Sequence, residues 1–220
     1  MRVGTTDFNV YSQIFMEHQL SYLYTLFEHR PPKYILDAGA NAGFASSMFK
    51  LMWPDATVVS VEPNPKNFEA LKRNTAKFKK VHPVNAGLWG HKAKIGQVGS
   101  HGEWGLVFRE LPKGSKEEGL QAYGVKDLGR KFGISGFDFV KIDIEGAEGM
   151  VLAPEEDVSW IDKAMVVSLE VHDFFAGYFA LGAKDISSRV EQAFRYRKYA
   201  KASDNEHVMY VNYKLLKTIM

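Results

Sequence analysis

Two sets of residues in this chain have the types and spacing to do chemistry. The first is the run Asp37-Ala-Gly-Ala-Asn-Ala-Gly43, with Glu62 about twenty residues beyond its glycines, the distance at which an acidic side chain can accept from both hydroxyls of a ribose. Gly39 and Gly43 let the backbone turn tightly and let a ligand come close, though glycines between a strand and a helix also serve packing alone. The amides from Asn41 to Phe44 open a helix N-terminus, a setting that suits a carboxylate or a phosphate. The second set is Asp143 with Glu145, and Glu170 with His172. Strand residues two apart share a face, so each pair projects to one side at the end of its strand. Titratable groups gathered in this way are a common mark of a reactive site.

The loop sequence chooses among adenosine cofactors. A dinucleotide fingerprint reads Gly-x-Gly-x-x-Gly, and a Walker loop closes on Lys followed by Ser or Thr; Gly39-Ala-Asn-Ala-Gly43 with Asp37 ahead of it is neither. That favours the smaller methyl donor S-adenosylmethionine, whose amino-acid end needs a carboxylate site, offered near Asn41, and an acceptor for its ammonium. Methyl transfer to an alcohol is an in-line displacement in which the oxygen loses a proton, so a base within reach helps. His172 is the expected base, because its ordinary pKa of about 6.5 suits neutral pH better than a carboxylate near 4. Asp143 is expected to accept from the methionine ammonium or the acceptor. Glu145 and Glu148 can instead cap the helix that starts near Gly146, and Glu148 is read as structural. A divalent metal on Asp143, Glu170 and His172 is a second use of the same donors, ranked below base catalysis for want of a fixed ligand spacing.

The elements that must position these groups alternate. An apolar helical pattern from Ser12 to Arg30, stopped by Pro31-Pro32, predicts a leading helix, with Tyr11 and Tyr22 placed to lid a cleft. Tyr34 to Asp37, Thr57 to Val61, Val81 to Val84, Phe137 to Asp143 and Ala164 to Val171 read as strands. Helices are expected at Phe44 to Trp53, after the Asn64-Pro65 cap, at Val125 to Phe132, at Gly146 to Leu152 and at Asp185 to Phe194. Tyr196 to Ala200 and Glu206 to Tyr213 read as an antiparallel pair, and Ile95 to Phe108 as a hairpin or irregular insert. Repeated strand, helix, strand units imply an α/β fold with a mostly parallel sheet covered on both faces and an antiparallel pair at one edge.

Composition bounds the rest. With 220 residues, 45% of them hydrophobic, the chain is expected to form a single domain over 1–220, with 1–32 as an N-terminal helical extension. Its formal net charge of +2 argues against a dedicated nucleic-acid binder, and the basic run Lys72, Arg73, Lys77, Lys79 and Lys80 reads as a solvated helix face. No cysteine is present, which removes disulfides and thiolate chemistry and fits the cytoplasm. No apolar run reaches membrane-spanning length, and the start lacks the order of a signal peptide. Trp104, Phe174, Phe175, Tyr178 and Phe179 are candidates for an aromatic wall against a sugar ring, with core packing as the plainer expectation.

Four ordered blocks resemble the FkbM-type methyltransferases: Leu36-Asp-Ala-Gly-Ala-Asn-Ala-Gly43; Val61-Glu-Pro-Asn-Pro65 with Phe68 and Leu71; Asp138-Phe-Val-Lys-Ile-Asp-Ile-Glu-Gly-Ala-Glu148; and Leu169-Glu-Val-His172. They span residues 33 to 172, and the third is the most family-specific. The resemblance implies the class I Rossmann-like methyltransferase fold, three layers around a seven-stranded sheet, with S-adenosylmethionine as cofactor. It implies O-methylation of a small hydroxyl compound such as a sugar or glycan. Cofactor contacts are expected from Asp37, Gly39, Ala40, Asn41, Gly43, Phe44, Glu62, Pro63 and Asp143, with Asn85 and Ala86 near the adenine. Two other functions share these features: a noncatalytic cofactor- or glycan-binding module, and an NAD-dependent oxidoreductase using the same turn and Glu62.

Overall fold

Strand residues in this chain are apolar at successive positions, and the two faces they present are both buried. Ile35, Val58 and Phe139 pack into one core cluster while Leu36, Val59 and Val140 pack into another, so neighbouring residues of one strand feed opposite layers. In the computed structural model, which describes residues 1–101, 105–204 and 207–219, this arrangement is a central sheet between two helical layers.

The strands in chain order are β1 (Tyr34–Ala38), β2 (Thr57–Val61), β3 (Val81–Val84), β4 (Gly87–Leu88), β5 (Ala93–His101), β6 (Gly105–Glu110), β7 (Leu120–Tyr123), β8 (Phe139–Ile142), β9 (Val166–Glu170), β10 (Tyr199–Asp204) and β11 (His207–Asn212). The helices are α1 (Asp7–Tyr11), α2 (Tyr22–Leu26), α3 (Phe44–Met52), α4 (Pro65–Thr75), α5 (Val125–Phe132), α6 (Glu148–Val151), α7 (Asp185–Phe194) and α8 (Tyr213–Ile219). Seven strands form the main sheet in the order β10-β11-β9-β8-β1-β2-β3. The pairs from β3 to β9 are parallel, and β11 is antiparallel to both β9 and β10. This is the expected class I methyltransferase architecture, a mostly parallel seven-stranded sheet with an antiparallel edge pair.

Local chemistry sets the helix ends that matter for the site. Asn64 caps α4, its side chain accepting from the amides of Lys66 and Asn67, and Pro65 occupies the first turn, where its missing N–H costs nothing. Gly133 ends α5 in a left-handed conformation, and the helix bounds match those read from sequence.

Three expectations change. The leading helix is not continuous: α1 runs into a π turn at Ser12–Met16, the chain bends through His18 at φ +57°, and α2 follows. Ile14 and Leu20 are both buried, yet six residues along one helix would set them about 120° apart around the axis. The bend lets both face the sheet. The insert from Ile95 is half of a second sheet, order β4-β7-β5-β6, with β5 and β6 antiparallel. The first edge strand starts at Tyr199, later than expected, because Tyr196 is exposed and Arg197 turns back to Asp162 at 2.8 Å. Trp104 and Glu206 lie outside the described residues.

Candidate active site

The turn after β1 is built from backbone constraints. The amides of Gly39 and Ala40 both donate to the Val61 carbonyl at 3.0 Å, tying the loop to the end of β2. Gly39 has φ +76°, and a Cβ there would lie 1.7 Å from the Asp143 carbonyl oxygen. Gly43 has φ +84°, and its Cβ would lie 2.6 Å from Leu71 Cδ1. Both glycines are therefore demanded by the protein's own atoms, in a conformation that side chains resist. Glu62 is held from both sides: Oε2 accepts from the Asn41 amide and Oε1 from the Asn64 amide, each at 2.8 Å. Burial pushes its carboxyl up to about 7, against the pull of those amides. The Asn67 side chain also donates to this carboxylate.

Asp37 sits beneath this turn. It is fully buried, accepts from Ser46 Oγ at 2.5 Å, and has Lys141 Nζ 3.9 Å from Oδ1. Burial raises its pKa, with Lys141 opposing.

Strand register assembles the second set. Ile142 pairs with Leu169 across β8 and β9, so Asp143 and Glu170 leave the sheet side by side, and Glu170 faces His207 on β11. Lys141 Nζ donates to Asp143 Oδ2 at 2.9 Å; burial works against its charge, but Asp143 and Asp37 outweigh it and raise its pKa. His172 is buried, with Nδ1 2.9 Å from Glu148 Oε1, while Nε2 lies 3.6 Å from Glu170 Oε1 and 4.0 Å from Glu145 Oε2. Burial alone would lower the pKa of His172; the carboxylates of Glu148 and Glu170 and the charge of Asp143 push it up to about 11. The expected histidine base thus sits among carboxylates that favour its protonated form. Glu170 is held below its usual range by the His172 hydrogen bond, against burial. Glu148, fully buried, also accepts from the Ile144 amide at 3.1 Å, a fixed structural role as expected.

A cavity of about 660 Å³ joins the two sets. Gly39, Ala40, Asn41 and Glu62 line it from the β1 and β2 side, and Asp143, Glu145, Glu170 and His172 from the β8 and β9 side, the two groups meeting where Gly39 abuts the Asp143 carbonyl. A second, smaller cavity beside it takes Pro63, with Gly39, Glu62, Asp143 and Glu145 shared between the two. Asp37, Gly43, Phe44, Asn85 and Ala86 line neither. Asn85 instead donates to the carbonyls of Glu62 and Pro63. The aromatic residues 174, 175, 178 and 179 also leave the large cavity unlined: Phe175 is fully buried, and Phe174 stacks on it at 4.0 Å beside His172.

The ligand atoms of Asp143, Glu170 and His172 lie within 4.8 Å of one another, close enough to share a metal ion. Of the three, Asp143 is already ion-paired to Lys141 at 2.9 Å, which weakens it as a ligand. Sequence reasoning missed Lys141, Ser168 and Asn67, and most of the wall from Thr6 to Tyr22. Lys141 was within reach, since it shares a strand face with Asp143; Tyr22 does line the cavity, whereas Tyr11 packs on Phe15 and Phe44.

Comparison with known proteins agrees with this geometry. Residues 37–205 match the family model described as the methyltransferase FkbM domain. The 31-O-demethyl-FK506 methyltransferase FkbM of Streptomyces tacrolimicus is 27% identical over 204 residues, covering 79% of this chain and 77% of that protein. Methyltransferase sdnD of Sordaria araneosa is 27% identical over 191 residues, covering 69% and 70%. Among solved structures, a putative caffeoyl-CoA O-methyltransferase from Staphylococcus aureus superposes with a TM-score of 0.53 at 11% identity, over 96% of this chain and 93% of that one, which shows the shared fold. The chain belongs to the FkbM-domain methyltransferases.

Proposed function

We propose that this methyltransferase binds S-adenosylmethionine at the Gly39–Glu62 end of the large cavity and methylates a hydroxyl group of a small acceptor, a sugar or glycan in first place, at the Asp143–His172 end. One observation carries the proposal: a single cavity of about 660 Å³ is lined both by a ribose-type carboxylate and by a carboxylate–imidazole cluster. The size suits a cofactor and a small acceptor together. The name of the Streptomyces relative, a methyltransferase of an O-demethyl compound, supports an oxygen acceptor.

The fit to the cofactor rests on Glu62, whose two oxygens already hold backbone amides in place and still face the cavity. When bound, the cofactor supplies an electrophilic methyl group on a positively charged sulfur. Glu62 would accept from the ribose hydroxyls, and the Asn41 turn is aligned for the amino-acid end. Asp143, ion-paired to Lys141, is placed to take the methionine ammonium. His172 and Glu170, 3.6 Å apart, form an ion pair that orients the acceptor, and a carboxylate beside them takes the proton, since the neighbours of His172 favour its charged form. The cysteine-free sequence fits a reducing compartment, the cytoplasm.

The test is calorimetry with S-adenosylhomocysteine, followed by methyl transfer from labelled donor to a panel of sugars and glycans. Binding with labelled product supports the proposal. Absence of binding by folded protein overturns it, and binding with no turnover on any acceptor would favour a noncatalytic module. Displacement by NAD instead of S-adenosylhomocysteine would favour the oxidoreductase.

A further inference from the structure

We propose that the Glu145 carboxylate holds the acceptor hydroxyl and takes the hydroxyl proton as the methyl group is transferred. The proposal rests on the cofactor and acceptor assignment above and gives a role to a residue that the sequence placed in the titratable cluster, with a helix cap as its alternative.

Four observations carry it. First, among the described residues, four buried side-chain oxygens have no hydrogen-bond partner, on Asp37, Glu145, Glu148 and Tyr210. Of these four residues, only Glu145 lines the large cavity. Second, the other acidic groups around the cavity are engaged. Asp143 Oδ2 accepts from Lys141, Glu62 accepts from two amides, and Glu170 lies between two imidazoles, 3.6 Å from His172 and 3.8 Å from His207. Third, Glu145 lines both cavities, at their junction with Gly39, Glu62 and Asp143, so its carboxylate lies where cofactor and acceptor must meet. Fourth, its backbone has φ +56° although it carries a full side chain, next to Gly146 at φ +91°. Glycine would make that turn without strain, and strain held at a cavity wall is typical of a functional constraint.

The chemistry balances. The hydroxyl oxygen forms its bond to the methyl carbon while the carbon–sulfur bond breaks and its electron pair goes to sulfur, which loses its positive charge. The hydroxyl proton moves to the Glu145 carboxylate, leaving Glu145 neutral until it returns the proton to solvent. Burial, opposed by the His172 cation and reinforced by Asp143, pushes the carboxyl of Glu145 up to about 8, which makes it a stronger base than an ordinary carboxylate. The His172 cation, 4.0 Å from Oε2, works against that rise and favours the ionised form.

An analogue of the cofactor reads this placement without an acceptor. Sinefungin carries an amine on a carbon where S-adenosylmethionine carries its methylated sulfur, so its ammonium should reach a carboxylate facing the transferred methyl. The protein should bind sinefungin about tenfold more tightly than S-adenosylhomocysteine by calorimetry, the size of one charge-assisted hydrogen bond. Glu145→Gln should remove most of that preference and leave S-adenosylhomocysteine affinity within about twofold, as expected when one charge-assisted bond is lost. Glu145→Gly should remove it too while melting at the same or a higher temperature, since the turn loses its strain. No preference in the unmodified protein, or a preference that survives both substitutions, overturns the proposal. Failure of the unmodified protein to bind S-adenosylhomocysteine at all is a different result, because it overturns the cofactor assignment on which the proposal stands.

Discussion

At the Glu62 end of the cavity each carboxylate oxygen already accepts a backbone amide, whereas at the His172 end Glu145 keeps a buried oxygen with no partner. The first end is made by short-range geometry: Glu62 is bonded to the amides of residues 41 and 64, and the turn is pinned to the Val61 carbonyl. The second end gathers side chains from β8, β9, the turn after β9 and α6, and is walled by the N-terminal segment. Backbone-satisfied sites are rigid and tolerate one ligand geometry; sites made of side chains with unused hydrogen-bonding capacity hold their chemistry in reserve for a second molecule. The difference fits a shared donor end and a specialised acceptor end. The family match runs from 37 to 205, while Thr6 to Tyr22 and His207 to Met209, which also line the cavity, lie outside it.

Substitutions at each end sharpen this contrast. Gly39→Ala should act on both ends at once, since its Cβ would lie 1.7 Å from the Asp143 carbonyl, which no side-chain motion can relieve. A loss of about 3 kcal/mol in denaturant unfolding is expected, with cofactor affinity falling alongside. Gly43→Ala meets its nearest contact at a side-chain tip, Leu71 Cδ1 at 2.6 Å, with Thr75 Cγ2 and Leu71 Cα beyond 3 Å, and should cost less; equal losses would mean that the two glycines serve the same purpose. Glu148→Gln acts on the acceptor end alone. It removes the buried charge that holds His172 Nδ1, so about 2 kcal/mol of stability should go. NMR titration of the imidazole should find its pKa moved down from about 11, while S-adenosylhomocysteine affinity is kept.

Glu62→Gln acts on the donor end alone and should weaken S-adenosylhomocysteine binding about tenfold, roughly 1.4 kcal/mol. Gln19→Ala should have the smallest effect. The exposed contact from Gln19 Nε2 to His207 Nε2 at 2.9 Å closes the N-terminal segment over the sheet edge, and losing it should cost less than about 0.5 kcal/mol. Faster exchange of bound S-adenosylhomocysteine in Gln19→Ala, followed by stopped-flow fluorescence, would show the segment acting as a cover.

The donor end was the more legible in sequence because its determinants are local. The Asp37–Gly43 spacing, Glu62 at a strand end and the Asn64-Pro65 cap each depend on a few neighbouring residues, and the structure places Gly39 to Asn41 and Glu62 on the cavity. Asp37 misled for a physical reason: the same strand-end position can face the ligand or the layer beneath, and the Ser46 and Lys141 side chains that draw it inward come from distant elements. The acceptor end followed from strand periodicity as far as Asp143 beside Glu170. Charge state did not, because the pKa of His172 depends on Glu148 as well as Glu170, and Glu148 reaches it only once the turn through Gly146 has formed. The bend at His18 and the second sheet were illegible, since both arise from long-range docking rather than from any glycine or proline signal at the bend.

The most direct measurement follows protons on cofactor binding. Glu62 is about half protonated near pH 7 in the free protein, because burial raises its pKa to about 7. In the unfolded chain its pKa is 4.5, so Glu62 supports folding below that value and the support is lost as pH rises through about 7. Ribose hydroxyls that donate to the carboxylate favour its ionised form, so binding must release protons and strengthen as pH rises toward neutrality. Calorimetry of S-adenosylhomocysteine at pH 6 in buffers of different ionisation enthalpy should show a net proton release approaching one per site, absent in Glu62→Gln. Binding without proton release, or release that persists in Glu62→Gln, would contradict the placement of the cofactor at Glu62.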